Sequence, residues 1–307
     1  MPLPDMQVAS GVLTAEAGCV LSVDVEDWFH ILDVPSAPPI SEWEQLPSCV
    51  EKNFRRMLGL FSDAGVHVTC FFLGWVAERY PQLVTEAANA GHEIASHGYG
   101  HRLAYEMGRL DFRQDVRRAR GILEDLIGAP VLGYRTAGFS ATEATPWFFE
   151  ELAAAGYRYD SSVFPARRGH GGLASARIEP HWLVTNSGDV VEVPITVAET
   201  FASRVCFFGG GYLRLFPYAL VRLMADSVLR ESRPVVFYVH PREIDPRHPR
   251  LQMSCYRRFK CYANLHTTET KIRRIVADFR VMTFREYLDA CGCSWQQRET
   301  QPGQCVA

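Results

Sequence analysis

The chain has 307 residues, 47% of them hydrophobic and 22% charged, an ordinary globular composition with room for one large α/β domain or two small ones. Its 35 acidic residues outnumber the 32 basic ones, for a formal net charge of -3, so no basic surplus exists to drive nucleic-acid binding. Nine cysteines, an odd number scattered along the chain, do not make a disulfide framework.

The opening "MPLPDMQVASGVLTAEAG" has no basic lead and no long apolar run, which makes it a poor signal peptide. No stretch reaches 18 uninterrupted apolar residues, so a spanning helix is not expected. Residues 1–17 read as a flexible tail. The default location is the cytoplasm, with peripheral attachment to the inner membrane as the open alternative.

Val20–Val25 reads as a buried strand. "CVEKNFRRMLGLFSDAG" follows as a helix, with Val50, Phe54, Met57, Leu58 and Phe61 at helical spacing and Gly65 as its C-cap. "VHVTCFFLG" is the next strand, "ERYPQLVTEAANAG" the next helix, and "HEIASH" a third strand turning into loop. Phe112–Leu126 is a long amphipathic helix and "PVLGYR" a strand. Thr145 should cap a helix with Pro146 in its first turn, ending at Gly156. "YRYDSS" is a short strand, residues 162–187 read as irregular, and "DVVEVPI" alternates like a half-exposed strand. Pro217–Leu229 is helical, "PVVFYVHP" a buried strand, Lys271–Asp278 a basic-faced helix, and "FRVMTFREYLDACG" a closing strand and helix.

"RRFK" and "KIRR" read as solvated faces, while Cys70 and Cys206 read as small core residues. Cys291, Cys293 and Cys305 lack the paired spacing of a metal knuckle, and 291–307 reads as a second flexible tail.

Repeated strand–helix alternation implies a largely parallel sheet sheathed by helices. No G-x-G-x-x-G follows the first strand, and "FFGGGY" lacks the lysine of a phosphate loop. A barrel with function at the C-terminal ends of its strands fits better. Four such ends carry ionisable groups: Asp24 and Glu26, then His97 and His101, then Arg135, then His240. A spacing of four on a helical turn would set the two imidazoles on one face, and glycines between them would allow a tight turn. With one carboxylate from a neighbouring strand end they would form a catalytic metal site with an open position. His92 reads as a buried or supporting histidine.

"SVDVEDWF", "GHEIASHGYGH", "GYRTAGFS", "YRYDSSVFP" and "VFYVHP" resemble, in order, the five motifs of the NodB-type polysaccharide deacetylase family, carbohydrate esterase family 4. The resemblance spans roughly residues 20–290. It implies a distorted (β/α)7 barrel and metal-dependent removal of acetyl groups from sugars. "HPREIDP" and "FKCYANLHTTETKIRRIVADFRVMTF" resemble the DUF3473-like C-terminal region of the subgroup tied to exopolysaccharide loci and exosortase systems. The implied layout is one catalytic domain over 18–290, with 241–290 specific to that subgroup.

By motif, Asp24 resembles the general base, His97 and His101 the metal ligands, and Arg135 the arginine that orients the base. His240 resembles the general acid and Asp160 the carboxylate that tunes it. The family's usual first motif has adjacent aspartates, but here Val25 follows Asp24, so the third ligand is Glu26 or Asp27. Period-two alternation favours Glu26; a kink would favour Asp27. Thr136 and Ala137 stand where prolines are common, and the backbone N–H of Tyr134 is the candidate oxyanion donor.

Zinc is the expected ion, with cobalt, nickel or manganese as alternatives. Trp28, Phe29, Tyr99, Phe139, Trp182 and Tyr212 are the candidate sugar-stacking aromatics. The implied substrate is an N-acetylated oligo- or polysaccharide of a bacterial exopolysaccharide or its precursor, handled beside a synthesis complex. Two rivals stand: a metal-dependent amidohydrolase acting on a small cyclic amide or imide, and an inactive carbohydrate-binding relative.

Overall fold

A computed structural model of the chain describes residues 7–13, 18–168, 171–200 and 203–293. In chain order its strands are β1 (Gln7–Val12), β2 (Cys19–Val25), β3 (Thr69–Phe72), β4 (Glu93–Ser96), β5 (Gly133–Tyr134) and β6 (Tyr159–Asp160). They continue as β7 (His181–Thr185), β8 (Gly188–Glu192), β9 (Ala198–Glu199), β10 (Arg204–Val205), β11 (Val235–Val239) and β12 (Val281–Met282). The helices are α1 (Val50–Ala64), α2 (Gly74–Arg79), α3 (Pro81–Asn89), α4 (Ala104–Ile127) and α5 (Phe148–Ala155). After them come α6 (Gly210–Leu215), α7 (Tyr218–Arg230), α8 (Cys255–Tyr262), α9 (Thr268–Asp278) and α10 (Phe284–Ala290).

Seven strands run parallel in the order β8-β6-β5-β4-β3-β2-β11, and helices fill the connections between them except that from β6 to β8, which carries β7. β7 and then β1 extend the β8 edge as antiparallel strands, and β12 pairs with the start of β2. β9 and β10 form a separate ribbon. No ladder between β11 and β8 occurs among the described residues, so the fold is a central α/β sheet with flanking helices.

β2 shows why the sequence folds this way. All seven of its residues are buried, with β3 on one side and β11 on the other. A strand covered on both faces needs a nearly continuous apolar run rather than alternation. Leu21, Val23 and Val25 pack toward the larger core with α1, while Val20 joins Phe71, Val236 and Tyr238 on the inner side. Asp24 shares the parity of Val20 and therefore faces inward with them. The register Val25↔Phe72, Phe72↔Ser96, Ser96↔Tyr134 and Tyr134↔Asp160 brings the C-terminal strand ends onto one rim.

Three expectations need correction. Residues 7–12, placed in a flexible tail, form β1, because the open edge of β7 offers them a hydrogen-bonding partner. The stretch 162–187, read as irregular, contains β7, whose partners β1 and β8 supply what its own sequence does not announce. Thr145 does not cap a helix. Its hydroxyl accepts from the N–H of Thr142, and α5 begins three residues later. Residues 1–6 and 14–17 of the proposed N-terminal tail, and residues 294–307 with Cys305, lie outside the described residues. Cys70, Cys206 and Cys293 are buried. No described helix is long and apolar enough to cross a membrane.

Candidate metal centre

At the end of β2 the N–H of Glu26 donates to the carbonyl of Asp24 at 3.0 Å, a three-residue turn that ends the strand. The two carboxylates thus leave β2 close together but in different directions. Asp24, 2% exposed, accepts from Arg135 Nη1 at 2.7 Å. Arg135 follows β5 and is fully buried. It also donates to Ser22 Oγ at 2.8 Å and to the Ser161 carbonyl at 3.2 Å, and its guanidinium lies 4.2 Å from the Phe71 ring centroid. A charge at this depth is tolerable only when paired in this way.

Asp27 points elsewhere. Its carboxylate accepts from Ser48 Oγ at 2.5 Å and from the N–H groups of Trp28, Cys49 and Val50, which fastens the loop to the start of α1. Of the two acidic candidates, Glu26 is the one grouped with both histidines. Ligand atoms of Glu26, His97 and His101 lie within 4.8 Å of one another, and all three residues are buried.

His97 leaves β4 with Nδ1 against the Arg135 carbonyl at 2.8 Å. That bond places the proton on Nδ1 and leaves the Nε2 lone pair for an ion, the usual support of a ligating histidine. The chain between His97 and His101 is not a helical turn. Gly98 adopts φ +74°, where a Cβ would meet Asp115 Oδ2 at 2.8 Å. Asp115, on α4, accepts from the N–H groups of Tyr99 at 2.8 Å and Gly100 at 3.2 Å. His101 itself has φ +50°. The loop, clamped by Asp115, folds back and sets the imidazole rings 5.2 Å apart.

His101 Nε2 meets Glu26 Oε2 at 2.7 Å, and its buried Nδ1 has no hydrogen-bond partner. Burial pushes His97 down to about 4, so it is neutral and able to ligate at neutral pH. Burial alone would raise the Glu26 carboxyl, but His101, His240 and Arg242 together hold it well below its usual range. Two imidazoles and one anionic carboxylate form a donor set that fits a divalent transition ion.

His240 follows β11. Its Nε2 lies 3.9 Å from Asp24 Oδ2 and 3.7 Å from Glu26 Oε1, and its Nδ1 is 3.0 Å from Glu243 Oε2. Burial pulls the imidazole down, yet the Glu243 and Glu26 carboxylates outweigh it and raise its pKa. Glu243, opposed by burial but faced by His240 and Arg214, is held at about 2. The carboxylate beside His240 is therefore Glu243, and the expectation for Asp160 is corrected. Asp160 ends β6, separated from β11 by four intervening strands in the sheet order, and its oxygens accept from Ser162 N at 2.9 Å and Ser162 Oγ at 2.6 Å. Its other neighbour is the buried Glu192. Burial pushes Asp160 up to about 6 and, with Asp160 nearby, raises Glu192 well above its usual value. The missed signal was short: in "HPRE" a glutamate stands three residues after the histidine, with proline opening the turn between them.

These groups open into a cavity of about 530 Å³. Phe139 and Tyr212 line it; Trp28, Phe29, Tyr99 and Trp182 do not. Trp28 and Phe29 pack in the core, and Tyr99 lies beneath Arg118 at 3.5 Å. Thr136 lines the cavity, but Tyr134 belongs to the β5 ladder and is not on its wall, so the expected oxyanion donor is not there. His92, as expected, stays outside the cluster, its Nδ1 accepting from the N–H of Val68 at 3.2 Å. Arg257 and Lys260 of "RRFK", expected on a solvated face, line the cavity instead, because α8 turns that face inward.

Residues 43–159 match the polysaccharide deacetylase family model, and residues 161–289 match DUF3473, a domain of unknown function. The second match begins well before residue 241. A peptidoglycan-N-acetylglucosamine deacetylase of Bacillus cereus is 32% identical over 73 residues, covering 24% of this chain and 26% of that protein. A peptidoglycan deacetylase of Helicobacter pylori is 26% identical over 113 residues, covering 37% of this chain and 38% of its own. The chain thus matches less than half the length of either relative. Among solved structures, a probable polysaccharide deacetylase from Pseudomonas aeruginosa shares 18% identity at a TM-score of 0.58, covering 91% of this chain and 90% of its own. An allantoinase shares 18% identity at a TM-score of 0.59, covering 90% of each chain. Both likenesses concern the fold.

Proposed function

From a chain that joins a NodB-type polysaccharide deacetylase region to a DUF3473 region, we propose a metal-dependent hydrolase that removes acetyl groups from N-acetylated sugar units of a bacterial exopolysaccharide or its precursor. The observation that carries this reading is the buried Glu26–His97–His101 group with Asp24 and His240 beside it. On this reading residues 18–290 act as one catalytic unit, and the seven parallel strands curl into the family's distorted (β/α)7 barrel.

Glu26, His97 and His101 would hold the ion, with zinc first and cobalt, nickel or manganese as alternatives. When bound, such an ion polarises an amide carbonyl and acidifies water. Asp24, held by Arg135, takes the proton of the attacking water as it adds to the acetyl carbon. Oriented through Nδ1 by Glu243, His240 donates from Nε2 to the sugar nitrogen as the C–N bond breaks. Acetate and a free amine leave. Base and acid are separate side chains flanking one point, which spares the reaction an amide-anion leaving group.

The test is acetate release from an N-acetylglucosamine tetramer by purified protein, before and after chelation and after reloading with each metal. Chelation should lower the rate by about 10²-fold or more, and zinc should restore it. His97→Ala should carry little metal by elemental analysis. Full metal content in that variant, or turnover of a small cyclic amide in place of the tetramer, would overturn the reading.

A further inference from the structure

The wall above the metal-centre residues differs from their floor in charge. Arg167 and Arg168, from the loop after β6, face the same cavity as Arg257 and Lys260 of α8, which stand three residues apart on one helix face. Arg168, Arg257 and Lys260 form no ion pair with a carboxylate among the described residues. Each is placed by neutral groups instead. Arg168 lies against the Phe164 ring at 4.6 Å and the Phe139 ring at 5.1 Å, and donates to the Gly138 carbonyl at 3.4 Å. Arg257 Nη2 donates to the Leu32 carbonyl at 2.6 Å, and the Lys260 ammonium sits 5.0 Å over Tyr256.

Other arginines of the protein, such as Arg55, Arg113 and Arg118, are engaged by glutamates. Two guanidinium atoms at the cavity go further. Arg257 Nε and Arg242 Nη1 are buried and lack any acceptor. Four cations lining one cavity, Arg257 among them with a spare donor, repel one another and leave a hydrogen bond unmade, an arrangement that an anion would relieve.

We propose that this wall is an anion subsite, and that the substrate carries a carboxylate or phosphate group next to the acetylated sugar that reaches the floor. The sugar part rests on the deacetylase reading above; the charge rests on the wall alone. Guanidinium forks match carboxylate and phosphate oxygens alike, so two sources share this chemistry: a neighbouring uronate in the polymer, or the phosphate of an activated precursor. All four cations lie within the 161–289 match, which gives the DUF3473 region a role in selecting the substrate.

The experiment compares three ligands on metal-loaded full-length protein. They are a neutral N-acetylglucosamine tetramer, an alternating N-acetylglucosamine–glucuronate tetramer, and uridine diphosphate N-acetylglucosamine. Acetate release gives kcat/KM, and calorimetry gives Kd. One anionic ligand should exceed the neutral one by about 10-fold or more, with the advantage shrinking as salt is raised. Which one leads identifies the source. Arg168→Gln and Lys260→Gln should each shrink that ratio several-fold, and Arg257→Lys should keep more of it than Arg257→Gln. Equal use of neutral and charged ligands, or a ratio unmoved by the variants, would overturn the subsite. If no ligand releases acetate, the deacetylase reading fails, while the calorimetric preference and its loss in the variants still decide the subsite.

Discussion

The floor and the outer wall of the cavity are built on different principles. On the floor every charge has a designated partner: Asp24 with Arg135, Glu26 with His101, His240 with Glu243. The groups come from strand ends fixed by the ladder. On the wall, Arg168, Arg257 and Lys260 rise from one loop and one helix and are placed by carbonyls and rings. Paired, buried groups can direct bond breaking, because their geometry is over-determined. Cations without counter-ions select what enters. The two tasks fall to different side chains but not to different stretches of chain, since His240 and Glu243 lie in sequence between Arg168 and Arg257.

The strongest way to break this contrast is on the floor. Asp24→Asn keeps the shape but removes the carboxylate proposed as the base, and should lower kcat by about 10²–10⁴-fold while metal content stays near the parent value. A loss below tenfold would return Asp24 to a purely structural role. Glu243→Gln is next. It should cost about 10–100-fold in kcat, as expected when the partner that orients a working imidazole is weakened, and more than Asp160→Asn costs. The reverse order would restore Asp160 as the partner of His240.

The smallest effect concerns stability, read by urea unfolding across pH. Asp160 is pushed up to about 6 and Glu192 higher still, both by burial first. A carboxyl whose folded pKa is raised contributes stability that is complete below its unfolded value, near 4, and is lost as pH rises through the folded value. The parent should therefore lose roughly 1–3 kcal/mol relative to Glu192→Gln between pH 4 and 7. Parallel pH curves for the two proteins would mean that the pair does not share a proton.

Much of the floor was legible in the sequence because it depends on local pattern. Apolar runs such as "VLSV" and "VVFYV" announce buried strands, and the polar residue that ends each run falls on the rim. His97, His101, Arg135 and His240 could be named on that basis. Glu26 could be preferred to Asp27, although the reason lies in the turn at Val25 rather than in strand alternation. What was hidden depends on long-range placement. Asp115 clamps the histidine loop from α4, sixteen residues beyond Tyr99. β1 forms because it meets β7 across about 170 residues of chain, while β7 is already paired with β8 in a local hairpin. "RRFK" looks like any solvated basic turn until α8 is docked, and its cavity-facing half cannot be told from its exposed half beforehand.

The ladder that joins β2 to β11 reaches across the chain from Cys19 to Val239. It matters to anyone who would dissect this polypeptide. A cut between residues 160 and 161, where the two family matches meet, would send His240 and Glu243 to one fragment and both histidines of the candidate metal centre to the other. It would also strip the strand bearing Asp24 of its neighbour over Cys19–Val23. Neither piece would be a miniature of the whole, and exchanging either one between homologous proteins would transplant half of the candidate centre.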